Sequence, residues 1–172
     1  MSIAVDICNT LANVNGQLAK EIKNYCFDKY PFPVPEKYFT SPAGMRVFRD
    51  AQPIPGTIEM LNNLADSFGG PVYVTTRPPE AEFVTRRWLA KYGYPKGDIL
   101  FCQYEEKISI YSSLAPYLIV EDDPRVLEKA KEELNILTLV PQWPYNRHIK
   151  GNRIVPVNWA GANEERAVAA WR

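Results

Sequence analysis

Short apolar runs rich in β-branched residues recur along the chain, and longer stretches of helical period separate them. Residues 3–5, 72–75, 99–101, 117–120 and 136–140 read as buried strands, because their apolar character is nearly continuous and does not alternate. Between them, residues 57–67, 80–92 and 125–134 read as amphipathic helices. Pro55-Gly56 and Pro78-Pro79-Glu80 are suitable helix entries, since proline is tolerated in a first turn. Gly69-Gly70 and Gly93 are suitable stops. Strands alternating with helices predict an α/β fold of doubly wound, Rossmann-like type, with a parallel sheet covered on both faces.

Residues 13–54 break this rhythm. They carry no strand pattern. A helix is expected around 17–27, followed by the proline- and aromatic-rich stretch YPFPVPEKYFTSP. This predicts a small helical cap inserted after the first strand, folded over the C-terminal edge of the sheet where open α/β sheets bind ligands. The core would then comprise residues 1–12 and 55–172. An ordinary two-helix excursion is the alternative.

Composition narrows the partners. The chain has 172 residues, enough for one domain, and its 46% hydrophobic content supports a core. Lys+Arg and Asp+Glu balance at 20 each, so there is no global field to attract nucleic acid or an anionic membrane. An anionic ligand must be captured locally. Cys8, Cys26 and Cys102 are too few for a disulfide framework and too widely spaced for a zinc cluster, which fits a reducing cytoplasm. No apolar run approaches the roughly 18–20 residues that span a bilayer, and no signal-peptide pattern opens the sequence. A cytoplasmic location is expected; a homodimer is possible, and the sequence does not fix the oligomeric state.

Candidate chemistry stands at the ends of the predicted strands. The first ends in Asp6, the second in Thr75-Thr76-Arg77, the fourth in Glu121-Asp122-Asp123, and Lys107 lies between the third and fourth. A doubly wound sheet brings these points to one rim. A carboxylate, a hydroxyl, an ammonium and an acidic cluster together suit Mg²⁺ and a phosphate, because Mg²⁺ takes oxygen ligands from carboxylates, phosphate and water. Singly, each residue has a plainer reading: Asp6 as a turn former, Thr75-Thr76 as a helix start, Glu121–Asp123 before Pro124 as a solvated helix N-terminus, Lys107 as a surface lysine.

The segments VDICNTLA, VYVTTRP, EEKISI and LIVEDDP, in this order, resemble the four signatures of the haloacid dehalogenase (HAD) superfamily of phosphohydrolases. PIPGTIEMLNNLAD is similar to the segment by which such chains re-enter the core after a small cap. QWPYNRHI followed by IVPVNWAGA is similar to the end of the 5'(3')-deoxyribonucleotidase-like branch and its nucleotidase relatives. The resemblance implies a Mg²⁺-dependent hydrolysis of a phosphate monoester, with a (deoxy)nucleoside 5'-monophosphate as favoured substrate. Asp6 would be the nucleophile that forms an aspartyl-phosphate. Thr75, with Thr76 and Arg77 beside it, would bind the phosphoryl group, and Lys107 would stabilise its charge. Asp122, helped by Glu121 and Asp123, would hold Mg²⁺ together with Asp6 and the backbone carbonyl of Cys8.

Position 8 departs from the superfamily, whose phosphatases usually carry a second aspartate there as general acid–base. A thiol with a pKa near about 8.5 is a weak acid at neutral pH, and a positioned general acid–base contributes roughly 10²–10⁴-fold. Three readings stay open: a slow or specialised phosphohydrolase in which Cys8 or a cap residue substitutes, a phosphate- or nucleotide-binding relative without turnover, and a different reaction through Asp6. Cys8 could also be a small buried residue that simply fits. His148, the single histidine, is expected at the surface. Tyr145 and Asn146 carry no chemical role from sequence. Phe32, Tyr38, Phe39 and Phe48 could stack on a base or form the cap's own core. Arg46 and Arg49 could meet an anionic substrate or solvent.

Overall fold

A computed structural model describes residues 2–26 and 28–158. Six parallel strands form one sheet: β1 (Ile3–Val5), β2 (Pro71–Thr75), β3 (Asp98–Phe101), β4 (Leu118–Val120), β5 (Leu137–Pro141) and β6 (Ile154–Val157), in the spatial order β3-β2-β1-β4-β5-β6. β1 is central, with Ile3 opposite both Pro71 and Leu118. The sheet leads outward from β1 in both directions, so the crevice between β1 and β4 is the topological switch point where open α/β sheets bind ligands.

Alternation along each strand divides the core between two faces. Ile3, Val5, Tyr73, Leu118, Val120, Leu137 and Leu139 pack on one side with Met60 and Leu61 of α4 (Thr57–Phe68) and Trp88 and Leu89 of α5 (Glu82–Tyr92). Ala4, Val74 and Ile119 pack on the other with Ile108 and Tyr111 of α6 (Lys107–Leu114) and Val126 and Ala130 of α7 (Pro124–Glu133). The predicted parallel sheet with helices on both faces is the fold observed. Gly93 ends α5 with φ +76°, a left-handed conformation that costs a residue with a Cβ about 1–2 kcal/mol.

Outside residues 13–54, two elements were not anticipated. β6 contains Pro156, which reads as a break in a central strand, yet β6 is the sheet's edge and an edge tolerates a missing N–H. α6 is short and serine-rich, and Ile108 and Ile110 mimic strand alternation. What starts it is the preceding 3₁₀ turn, Tyr104–Glu106, where Glu106 accepts from the Gln103 N–H at 2.7 Å.

The segment after β1 holds α1 (Val14–Glu21), α2 (Glu36–Phe39) and α3 (Pro42–Asp50). α1 begins three residues before the expected helix because Asn13 caps it, accepting from Gly16 N at 2.7 Å. It stops at Glu21, short of the expected end at Phe27, which lies outside the described residues. Val14, Leu18, Val47 and Ala51 belong to the same apolar cluster as β1 and β4, so these helices share the sheet's core. The Trp88 indole N–H ties them to α5 through the Ala51 carbonyl at 2.7 Å. The aromatics of this segment pack on one another: Phe39 lies 5.5 Å from both Phe32 and Phe48, and 5.6 Å from Tyr38. Arg49 pairs with exposed Asp50, and Arg46 is exposed. Among the described residues no helix is long and apolar enough to cross a membrane.

Candidate active site

β1 and β4 end side by side, and the Asp6 N–H continues the ladder onto the Val120 carbonyl at 2.9 Å. This places Asp6 beside Glu121 and Asp122. Lys107, at the start of α6, bridges them: its Nζ lies 2.6 Å from Asp6 Oδ1 and 2.7 Å from Glu121 Oε2. All four side chains are buried. Burial works to discharge Lys107, but the Asp6 and Glu121 carboxylates outweigh it and hold the ammonium well above its ordinary pKa.

The three consecutive acids have three different fates. Glu121 is saturated: besides Lys107, Oε2 accepts from Tyr111 Oη at 2.8 Å, and Oε1 accepts from the N–H groups of Asp122 and Asp123 at 3.0 Å each. Asp123 caps α7 through Arg125 N at 2.9 Å, and its oxygens also accept from the Arg125 guanidinium at 3.1 and 2.8 Å and from Tyr30 Oη at 3.0 Å. Asp123 therefore serves the helix and not the cluster. Asp122 faces the cluster, with Thr10 Oγ1 on Oδ1 at 2.7 Å and Tyr145 Oη on Oδ2 at 2.5 Å. Burial and the Asp6 and Glu121 charges push Asp122 well above the usual carboxylate range, against the pull of these two hydroxyls. One oxygen each of Asp6, Glu121 and Asp122 lie within 4.8 Å of one another.

Thr75 is buried at the end of β2, its Oγ1 accepting from Arg77 N at 3.3 Å, whereas Thr76 beside it is exposed. Arg77 folds inward and is 2% exposed. Its Nε donates to Cys8 Sγ at 3.2 Å and one terminal nitrogen to Thr85 Oγ1 at 3.1 Å, while the Phe48 ring covers the guanidinium at 4.5 Å. The other terminal nitrogen has no hydrogen-bond partner among the described residues. Burial raises the Cys8 thiol and Arg77 opposes that rise, so the group stays a thiol at neutral pH. The turn that carries Cys8 closes at Asn9, whose φ of +56° asparagine tolerates better than most residues. His148 is exposed, as expected, and takes no part.

Position 8 is therefore occupied by a guanidinium's partner and not by a free acid–base. In Cys8→Asp the new carboxylate meets Arg77 and is held by it as an anion. Any phosphate release is expected to rise less than about 10-fold in Cys8→Asp, below the range a free general acid contributes, and adding Arg77→Gln to release a larger gain. A 100-fold gain from Cys8→Asp alone, measured as kcat, would show that Arg77 does not hold the group.

Thr10, inside the VDICNTLA signature, and Tyr30, Tyr111, Trp143, Tyr145 and Asn146 surround the cluster, none with a role readable from sequence. The QWPYNRHI segment marks three of them only by its likeness to nucleotidases.

The sequence model of the family described as 5' nucleotidase, deoxy (pyrimidine), cytosolic type C protein matches residues 36–170. A curated Bacillus cereus protein named "Putative nucleotidase" is 28% identical over 111 residues, which is 62% of this chain and 58% of that protein. The chain thus matches little more than half the length of its curated relative. Among solved structures, CbbY of Rhodobacter sphaeroides in complex with xylulose-1,5-bisphosphate aligns with a TM-score of 0.57 at 14% identity, covering 94% of this chain and 96% of that one. The class C acid phosphatase of Bacillus anthracis aligns with a TM-score of 0.54 at 16% identity, covering 99% and 72%. At such identities the likeness is one of fold. With most of its length matched by the family's sequence model, the chain belongs to the 5' nucleotidase, deoxy (pyrimidine), cytosolic type C family of the haloacid dehalogenase superfamily.

Proposed function

We propose that the protein is a Mg²⁺-dependent phosphohydrolase that cleaves a phosphate monoester, a (deoxy)nucleoside 5'-monophosphate in the first place, through an aspartyl-phosphate at Asp6. The observation that carries this reading is the buried Asp6–Lys107–Glu121–Asp122 cluster at the switch point between β1 and β4.

The donor set fits a hard divalent cation. Asp6, Glu121 and Asp122 outnumber the one ammonium among them, and their donors are all oxygens. Among the described residues no imidazole or thiolate joins them: His148 is exposed and the Cys8 sulfur faces Arg77. Asp6, Asp122 and the backbone carbonyl of Cys8 would hold Mg²⁺, with Glu121 committed to orienting Lys107 and Asp123 to capping α7. When bound, the ion supplies positive charge that draws the phosphate to the carboxylates and offsets charge on the transferring group.

Asp6 is the nucleophile, freed by its single contact with Lys107 for attack through its other oxygen. Lys107, fixed by Glu121 and Tyr111, neutralises charge on the phosphoryl oxygens where a low dielectric makes that charge count. Thr75 offers its hydroxyl to one of those oxygens. Attack forms the Asp6–phosphorus bond as the P–O ester bond breaks, the leaving oxygen taking a proton from water; a further water then cleaves the acyl-phosphate, releasing inorganic phosphate and regenerating Asp6. The free thiols Cys8, Cys26 and Cys102 suit a reducing cytoplasm, the compartment in the family's description.

Cys8 favours a second reading, a phosphate- or nucleotide-binding protein without turnover. A panel of nucleoside monophosphates and an aryl phosphate, assayed for phosphate release, separates the two. Release that requires Mg²⁺ and stops with EDTA is expected. A protein that binds nucleotide yet leaves every ester intact is the binding module instead.

A further inference from the structure

The loop after β5 reaches across the end of β4 and takes hold of Asp122. Tyr145 Oη donates to Oδ2 at 2.5 Å, and Asn146 Nδ2 donates to the Asp122 backbone carbonyl at 3.0 Å. From the opposite side Thr10, in the turn after β1, donates to Oδ1 at 2.7 Å. Asp122, Thr10 and Asn146 are at most 2% exposed and Tyr145 is 7% exposed. The loop is itself anchored. Trp143 donates through Nε1 to the Asn9 carbonyl at 2.7 Å, and its N–H is received by Asn146 Oδ1 at 2.9 Å. Asn146 also reaches the Pro141 carbonyl at 3.0 Å. Two loops distant in sequence are thereby stitched together around one carboxylate.

A buried carboxylate facing two others gains by rotating away. Here a hydroxyl on each oxygen prevents that, and each oxygen keeps a further lone pair for an ion. Groups that orient a metal-binding carboxylate in this way typically govern metal affinity by roughly 10–100-fold. We infer that Tyr145 and Thr10 are positioning residues that hold Asp122 ready for the divalent cation, which gives the polar loop of residues 142–149 its purpose. This rests on Asp122 being a cation ligand.

The test is a calorimetric titration of MgCl₂, with inorganic phosphate present, into the full chain and into Tyr145→Phe, Thr10→Val and Asp122→Asn. Tyr145→Phe removes only the hydroxyl and keeps the ring packed against Tyr30 at 5.0 Å and Trp143 at 6.1 Å. The Mg²⁺ Kd is expected to rise about 10–100-fold in Tyr145→Phe and to rise also in Thr10→Val, while Asp122→Asn loses binding. Activity should recover in Tyr145→Phe at high Mg²⁺, as a shift in the Mg²⁺ dependence. A Kd within twofold of the parent in both hydroxyl variants, or a lower melting temperature with an unchanged Kd, overturns the inference and leaves the cation reading intact. If Tyr145→Phe does not fold, Thr10→Val decides alone. A parent protein that takes up no Mg²⁺, or an Asp122→Asn that binds normally, overturns the cation reading and this inference together.

Discussion

Asp6→Asn is expected to lose phosphate release by at least about 10⁴-fold, the scale on which removing the proposed nucleophile would act, while the fold survives. The amide has the carboxylate's shape and still offers Lys107 an oxygen where Asp6 Oδ1 now stands at 2.6 Å. What it lacks is the charge and nucleophilicity to form an acyl-phosphate. Removing one of three buried carboxylates also relieves repulsion with Glu121 and Asp122, so the melting temperature without Mg²⁺ should hold or rise. Acid-quenched mass spectrometry of the parent protein with substrate should find a phosphoryl group on the peptide that contains Asp6. Retention of more than one per cent of the parent rate by Asp6→Asn removes the covalent mechanism.

Lys107→Met has the second large effect, and it strikes stability as well as rate. The ammonium joins Asp6 and Glu121 at 2.6 and 2.7 Å with 1% of its side chain exposed. Breaking a buried pair by removing one partner costs about 3–5 kcal/mol because the remaining charge is stranded. At about 2–4 °C per kcal/mol for a chain of this size, melting falls by roughly 6–20 °C. Rate falls by about 10²–10³-fold, as for loss of a donor aimed at developing charge. The stability deficit carries a pH signature. Burial already raises the Glu121 carboxyl, and Lys107 is what opposes that rise; without the ammonium its folded-state pKa stands further above the unfolded one, so the variant loses stability as pH rises through that range and regains it on acidification. A deficit that stays constant with pH would assign the loss to packing and not to charge.

How much of this was legible in the chain depends on distance along it. Residues 3–5 and 72–75 were readable because a local run of β-branched residues ends in a residue of different chemistry, and the parallel topology then puts Asp6 and Thr75 on one rim. β6 was not, since Pro156 argues against a strand unless the edge position is known. The acids Glu121, Asp122 and Asp123 are chemically alike, and local sequence cannot rank them. Their division of labour comes from Lys107, Arg125 and the distant hydroxyls of Thr10 and Tyr145. Tyr145 in particular lies 23 residues beyond the carboxylate it holds, and a tyrosine in a polar loop has no signature for that task. Arg77 was a candidate phosphate contact by position, but its burial against Phe48 and Cys8 required coordinates.

The central place of β1 has a consequence for how the polypeptide comes into being. β1 needs Leu118–Val120, far along the chain, as one of its two neighbours, and pairings this far apart in sequence are slow to form. Until β4 arrives, the nascent Ile3–Val5 segment has an apolar edge with nothing to cover it, the kind of edge that recruits other chains. Translation products ending before β4 should accordingly be aggregation-prone and dependent on chaperones, whereas a chain that includes β4 buries that edge at the centre of its sheet.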